Sequence, residues 1–125
     1  MLRDIVDAML PAYLDCALWA SVDDDGNPLD DTHDACDVPE EARAPIRADI
    51  EGFLRMSHRR LFRHVRSGDA SWDRIANDLF LSRNGHGAGF FHGPYGDDCD
   101  TLQALANTLG TSDPIVIGDG DVVFV

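Results

Sequence analysis

Residues 23–41, DDDGNPLDDTHDACDVPEE, hold nine carboxylates and no Arg. Carboxylates at this density suit three tasks. They can give oxygen ligands to a hard cation such as calcium. They can stand in water as a solvated loop. They can also offer a row of charges to Arg or Lys on a partner, as a phosphate backbone does. The calcium reading needs an EF-hand spacing, and the spacing fails. With Gly26 at the sixth loop position, Ser21 stands first, Thr32 stands last, and no Glu closes the loop. Asp23, Asp24, Asp25, Asp30 and Asp31 are thus the candidate partner-binding residues.

The opposite charge gathers elsewhere. Arg55, Arg59, Arg60, Arg63 and Arg66 lie between Glu51 and Asp69 with no acid among them. On a helix, Arg55, Arg59, Arg63 and Arg66 share one face, with His58 and His64 nearby. Arg clusters bind phosphates, so a nucleic-acid groove is one reading. The formal charge of −13 opposes it, because long-range repulsion acts on any polyanion. Direct nucleic-acid binding is not expected. We read the Arg face as a charge-pairing or oligomer contact, made either with the chain's own acid loop or with that of a second copy in a homodimer.

A third constellation is RNGHGAG, Arg83 to Gly89. Its alternating glycines permit positive φ and close approach by a partner. In a tight turn, Arg83, Asn84 and His86 project outward and can line a small-ligand or anion site, with backbone N–H groups forming a nest. The segment matches neither the P-loop nor the dinucleotide fingerprint. The structural alternative is that the glycines shape a hairpin while Asn84 and His86 satisfy nearby backbone groups. His86, His92, Asp97 and Asp98 fit no zinc spacing, and no metal or cofactor is implied. No nucleophile–base relation can be read from residue order.

These residues must be positioned by elements that the apolar pattern outlines. Ile5, Val6, Met9, Leu10, Tyr13, Leu14, Ala17 and Leu18 predict an amphipathic helix over 4–20, with Pro11 kinking it or starting a second one. A capping-box pattern of Asp37 with Glu40 predicts a second helix that runs to about Arg66. Trp72, Ile75, Ala76 and Leu79 predict a short helix over 71–79. LFLSRNGHGAGFF reads as a β-hairpin from about Phe80 to Phe91. A helix through Leu102, Leu105, Ala106 and Leu109 closes at Gly110, and Asp119-Gly120 between β-branched runs marks a final hairpin. Trp19, Trp72 and the Phe pairs suit core positions, and Cys16 suits a small buried hydrophobe.

The expected fold is a single α+β domain over residues 1–125. Its N-terminal helices pack on a small antiparallel sheet, built from two C-terminal hairpins with one intervening helix. The apolar fraction of 44% suits a globular chain. Three scattered cysteines without a CxxC pair argue for a reducing compartment. The N-terminus lacks a signal-peptide pattern and no apolar run spans a bilayer. A cytoplasmic protein without membrane contact is expected.

LDCALWASVDDDGNPLDD, LSRNGHGAGFFHG and the closing VIGDGDVVFV together resemble a family of short acidic proteins of bacteriophages and prophages. The resemblance covers most of the chain in order. LSRNGHGAGFF is its most specific segment, and 55–71 matches least. It implies a phage origin, and with it a host cytoplasm, but not a mechanism; analogy with small acidic phage proteins that act on host machinery leads to the expectation of an inhibitor or decoy with an anti-defence role. Three functional classes follow. The first is an interaction protein whose carboxylates engage a basic surface of a host protein and inhibit it. The second is a nucleotide-binding or other ligand-sequestering protein using the Arg83–Gly89 turn. The third is a hydrolase using His86 with a carboxylate, for which no motif is present.

Overall fold

The computed structural model describes residues 2–87, 89–118 and 120–125, with the backbone but not the side chain of His92. Among these residues four helices carry the core: α1 (Leu2–Ala20), α2 (Glu40–Ser67), α3 (Trp72–Asn84) and α4 (Cys99–Asn107). Short 3-10 turns lie between them, and the hairpin of β1 (Pro114–Ile117) and β2 (Asp121–Phe124) ends the chain. The class is α+β. No helix among the described residues is long and apolar enough to cross a membrane.

α1 runs unbroken through Pro11, and α2 through Pro45. A proline removes the N–H that would bond the carbonyl four residues earlier. Those carbonyls belong to Asp7 and Glu41, both exposed like the prolines themselves. Water can replace the lost bonds, so neither helix breaks. α2 begins later than expected. Its N-cap is Pro39, in extended conformation and without a side-chain cap. The capping box sits three residues earlier, where Asp34 and Asp37 cap the 3-10 turn Ala35–Asp37.

Tyr13 of α1 meets Phe80 of α3 edge-on at 5.4 Å. Phe53 of α2 stacks on Phe90 at 5.6 Å, and Phe90 meets Tyr95 at 5.1 Å. These rings, with Ile46, Ile50, Leu54, Leu61, Ile75 and Leu79, are fully or almost fully buried.

The expected hairpin over Phe80–Phe91 is not there. Its first half is the end of α3, and its second half is the 3-10 turn Gly89–His92, folded back on α3. Ile75, Ala76, Leu79, Phe80 and Arg83 are buried at helical spacing. Arg83 belongs to that stripe, and a charged residue there hides the period. α3 stops at Gly85, whose left-handed backbone lets its N–H return to Leu81 O. The Phe90 N–H then donates to Ser82 Oγ at 3.0 Å, which fixes the returning turn on the helix.

The C-terminal hairpin stands where it is expected, although Asp119 itself lies outside the described residues. Val116 faces Val122 and Ile115 faces Val123. Val122 is fully buried, while Ile115, Val116 and Ile117 are exposed. Among the described residues the sheet has two strands rather than the four of two hairpins.

Candidate functional site

The acid loop is an ordered hairpin. Asp23 Oδ1 accepts the N–H groups of Asp25 and Asn27, both at 2.9 Å. The Leu29 N–H donates to Ser21 O at 2.9 Å, and the Leu29 side chain is buried. These bonds hold the turn so that Asp23, Asp24, Asp25, Asp30 and Asp31 are all exposed. None of the five has an ion-pair partner among the described residues. Three of the other four acids of the segment are engaged: Asp34 and Asp37 in the capping box, and Glu40 with Arg47 at 2.7 Å; Glu41 is exposed at the start of α2.

Beside this loop lies a groove of about 320 Å³, lined by Val22, Asp23, Asp24, Leu29, Pro114, Ile115 and Val116. Side chains alternate along a strand, so three consecutive lining residues mean that β1 presents its edge. The backbone pattern agrees. Asp113 and Val125 exchange both backbone bonds at 2.9 Å. Bonded pairs alternate in an antiparallel ladder, so Val116, opposite Val122, points its N–H and C=O away from β2. Pro114 has no N–H to offer. The groove thus joins an open strand edge, an apolar wall and two carboxylates. Trp19, three residues before Val22, is 65% exposed rather than in the core. It lines a second shallow cleft with Asp15 and Asp73. Local sequence signals do not reveal these walls, because only the tertiary fold brings 22–24 beside 114–116.

Arg55, Arg59, Arg63 and Arg66 share an exposed face of α2, opposite the buried Phe53, Leu54, Ser57 and Leu61. They do not pair with the chain's own acid loop. Arg55 reaches Glu51 at 3.2 Å on the same helix. Arg60 and Arg63 each reach Asp98 at 3.4 Å, and His64 Nε2 meets the same carboxylate at 2.8 Å. Arg59 and Arg66 have no acidic partner among the described residues. α2 separates the two charges. The acid loop and sheet lie at its N-terminal end, where Val123 and Phe124 line a cleft with Glu41, Ala42, Pro45 and Ile46. Arg59 lies roughly 20–27 Å further along the axis at about 1.5 Å per residue.

Of the RNGHGAG residues, Arg83 and Asn84 belong to the last turn of α3, and His86 is exposed in the turn that follows. Arg83 is buried, with a side chain 2% exposed. Its Nε–H donates to Gly110 O at 2.9 Å, and its Nη2 to Leu109 O at 3.1 Å. Its Nη1 donates to Asp49 Oδ2 at 2.9 Å and to Tyr13 Oη at 3.3 Å. Burial pushes the Tyr13 phenol up to about 12, against the lowering effect of Arg83. Asn84 Nδ2 donates to Phe80 O, and its Oδ1 accepts the Ser112 N–H at 2.6 Å. His86 Nε2 meets Asp113 Oδ1 at 2.7 Å, and its ring stacks on Phe80. All three side chains fasten α3 to the segment that leads into β1. Arg83, spent on internal acceptors, cannot line a ligand site. Ala88, within the same segment, lies outside the described residues.

Cys16 is buried, and burial followed by the nearby Asp78 charge pushes its thiol up to about 11. That suits a packed hydrophobe and not a nucleophile. Trp72 is half-buried and packs edge-on against Phe62 at 5.3 Å.

No family model, curated protein or solved structure matches this chain.

Proposed function

We propose that this chain is an acidic interaction protein of phage type that binds a basic surface of a host protein and inhibits it. The observation that supports this most is the groove between the acid loop and β1. Five exposed carboxylates of the loop have no counter-charge among the described residues, and two of them rim an apolar trough with an open strand edge. An extended partner segment can add to such an edge through its backbone, placing alternate side chains in the trough. Lys or Arg on that segment then meets Asp23 and Asp24, while Asp25, Asp30 and Asp31 steer its approach. Trp19 offers a flat surface on which an Arg can stack beside Asp15 and Asp73.

The test is a pulldown from host lysate, run beside a variant with Asp23, Asp24, Asp25, Asp30 and Asp31 changed to Asn. Asn keeps the Oδ1 acceptor that closes the turn, so the loop keeps its shape. The expected result is a basic protein held by the native chain at low salt and lost by the variant. Equal capture by both contradicts the reading.

A further inference from the structure

The acid-loop reading leaves the Arg face of α2 without a task. His58, Arg59, Arg60, Phe62, Arg63 and Arg66 line an open furrow of about 820 Å³. All six come from one helix, so the furrow is a space between long side chains with no opposite wall. Small-molecule sites enclose about 70–90% of their ligand, and one helix face cannot. A second protein surface can supply the missing wall. The furrow's floor is aromatic: Phe62 packs edge-on against Trp72 and against His58, at 5.3 and 6.3 Å. Its rim is cationic, and Arg59 and Arg66 have no acidic partner among the described residues.

We propose that this face docks on the acid loop and β1 edge of a second copy of the chain. The two surfaces are complementary in sign and alike in plan. One has carboxylates around Val22, Ile115 and Val116; the other has guanidiniums around Phe62. They lie roughly 20–27 Å apart along one rigid helix, so a chain cannot close the contact on itself. Two copies laid antiparallel about a twofold axis make the contact twice, in a closed dimer. Nucleic acid is the weaker occupant. A chain of net charge −13 repels it at long range. The dimer goes beyond the function proposed above. It also covers the groove that a host protein would use, so self-association and partner capture compete.

Sedimentation velocity of the full chain tests this at about 20 mM and about 500 mM salt, on either side of the range where surface charges become screened. A dimer at low salt that dissociates at high salt is expected. R59E/R66E and D24R/D25R should each weaken it at least roughly tenfold, since each reverses charges at the contact. A one-to-one mixture of the two variants should restore it, because their reversed charges match. All four side chains are exposed, and circular dichroism checks that each variant is folded; R59Q/R66Q repeats the test without charge reversal. A monomer at both salts, or a dimer indifferent to these changes, overturns the proposal. So does a failed rescue, or a single-stranded oligonucleotide that binds the native chain and not R59E/R66E. That variant keeps the acid loop, so its capture of a host protein tests the proposed function separately.

Discussion

The carboxylate of Asp49 on α2 meets the guanidinium of Arg83 on α3 at 2.9 Å, and this pair anchors a contact of four chain segments. Arg83 also holds Tyr13 of α1 and the carbonyls of Leu109 and Gly110 beyond α4. Removing the guanidinium leaves buried acceptors without donors. Arg83→Met should cost about 3 kcal/mol, as for lost bonds to a buried charged group. Arg83→Lys should recover little, because one ammonium cannot span acceptors spread around a planar fork. Asp49 is one-third exposed, so Asp49→Asn should cost under ~1 kcal/mol. Urea unfolding of the three variants checks this order. Equal losses would mean that the ion pair, and not the carbonyl bonds, matters most.

Asp78 predicts a pH effect. Burial raises its pKa above the usual carboxylate value, although the Tyr95 hydroxyl donates to it at 2.6 Å and Arg74 lies at 3.5 Å. The folded chain therefore holds this proton to higher pH than the unfolded chain does. The associated stability is fully present below about pH 4, the unfolded value, and is lost as pH rises through the raised folded value. Asp78→Asn keeps an acceptor for Tyr95 and removes the titration. Its stability relative to the native chain should rise with pH across this window and then level off. A constant difference between the two proteins from pH 3 to 7 (about the range that brackets a carboxylate) would contradict this.

Gly89 and Gly52 should respond in opposite directions to the same change. A Cβ on Gly89 would lie 2.0 Å from Ser82 Oγ and 3.0 Å from Asp78 O, on a backbone with φ of +50°. Gly89→Ala should destabilise by about 2 kcal/mol or more, through overpacking and strain. Gly52, inside α2, has open space around its Cβ position. Gly52→Ala should stabilise by about 0.5–1 kcal/mol through helix propensity. Melting temperatures decide both. A tolerated Gly89→Ala would show that the Gly89–His92 turn does not need its close seat on α3.

Trp19 separates folding from binding. Its exposure of 65% predicts that Trp19→Ala changes stability by no more than about 0.5 kcal/mol. Partner capture should fall about tenfold, the loss of one aromatic anchor of about 1.4 kcal/mol. Unchanged capture would place Trp19 outside the contact.

Local chemistry was readable where it acts locally. The apolar stripes of α1 and α2 follow the helical period, and the turn around Gly120 sits between β-branched runs. The pattern over Phe80–Phe91 suggests a hairpin and not a helix because a charged Arg83 ends the apolar stripe that runs from Ile75 to Phe80. The burial of Arg83 depends on Tyr13, Asp49, Leu109 and Gly110, none of them near it in sequence. The exposure of the acid loop follows from its composition. The groove beside it does not, since Val22 and Val116 come together only after the helices have packed. A large apolar ring such as Trp19 suits the core by composition, yet its position on α1 faces outward.

Amide hydrogen exchange on the captured complex tests the central claim most directly. Val116 directs its N–H away from β2, so that amide should exchange readily in the free R59E/R66E variant, whose groove no second copy covers. If a basic host segment lies along β1, the Val116 amide should become protected together with the amides of 22–25, and added salt should release both. Protection confined to the Arg face of α2, or none at either place, would contradict the account.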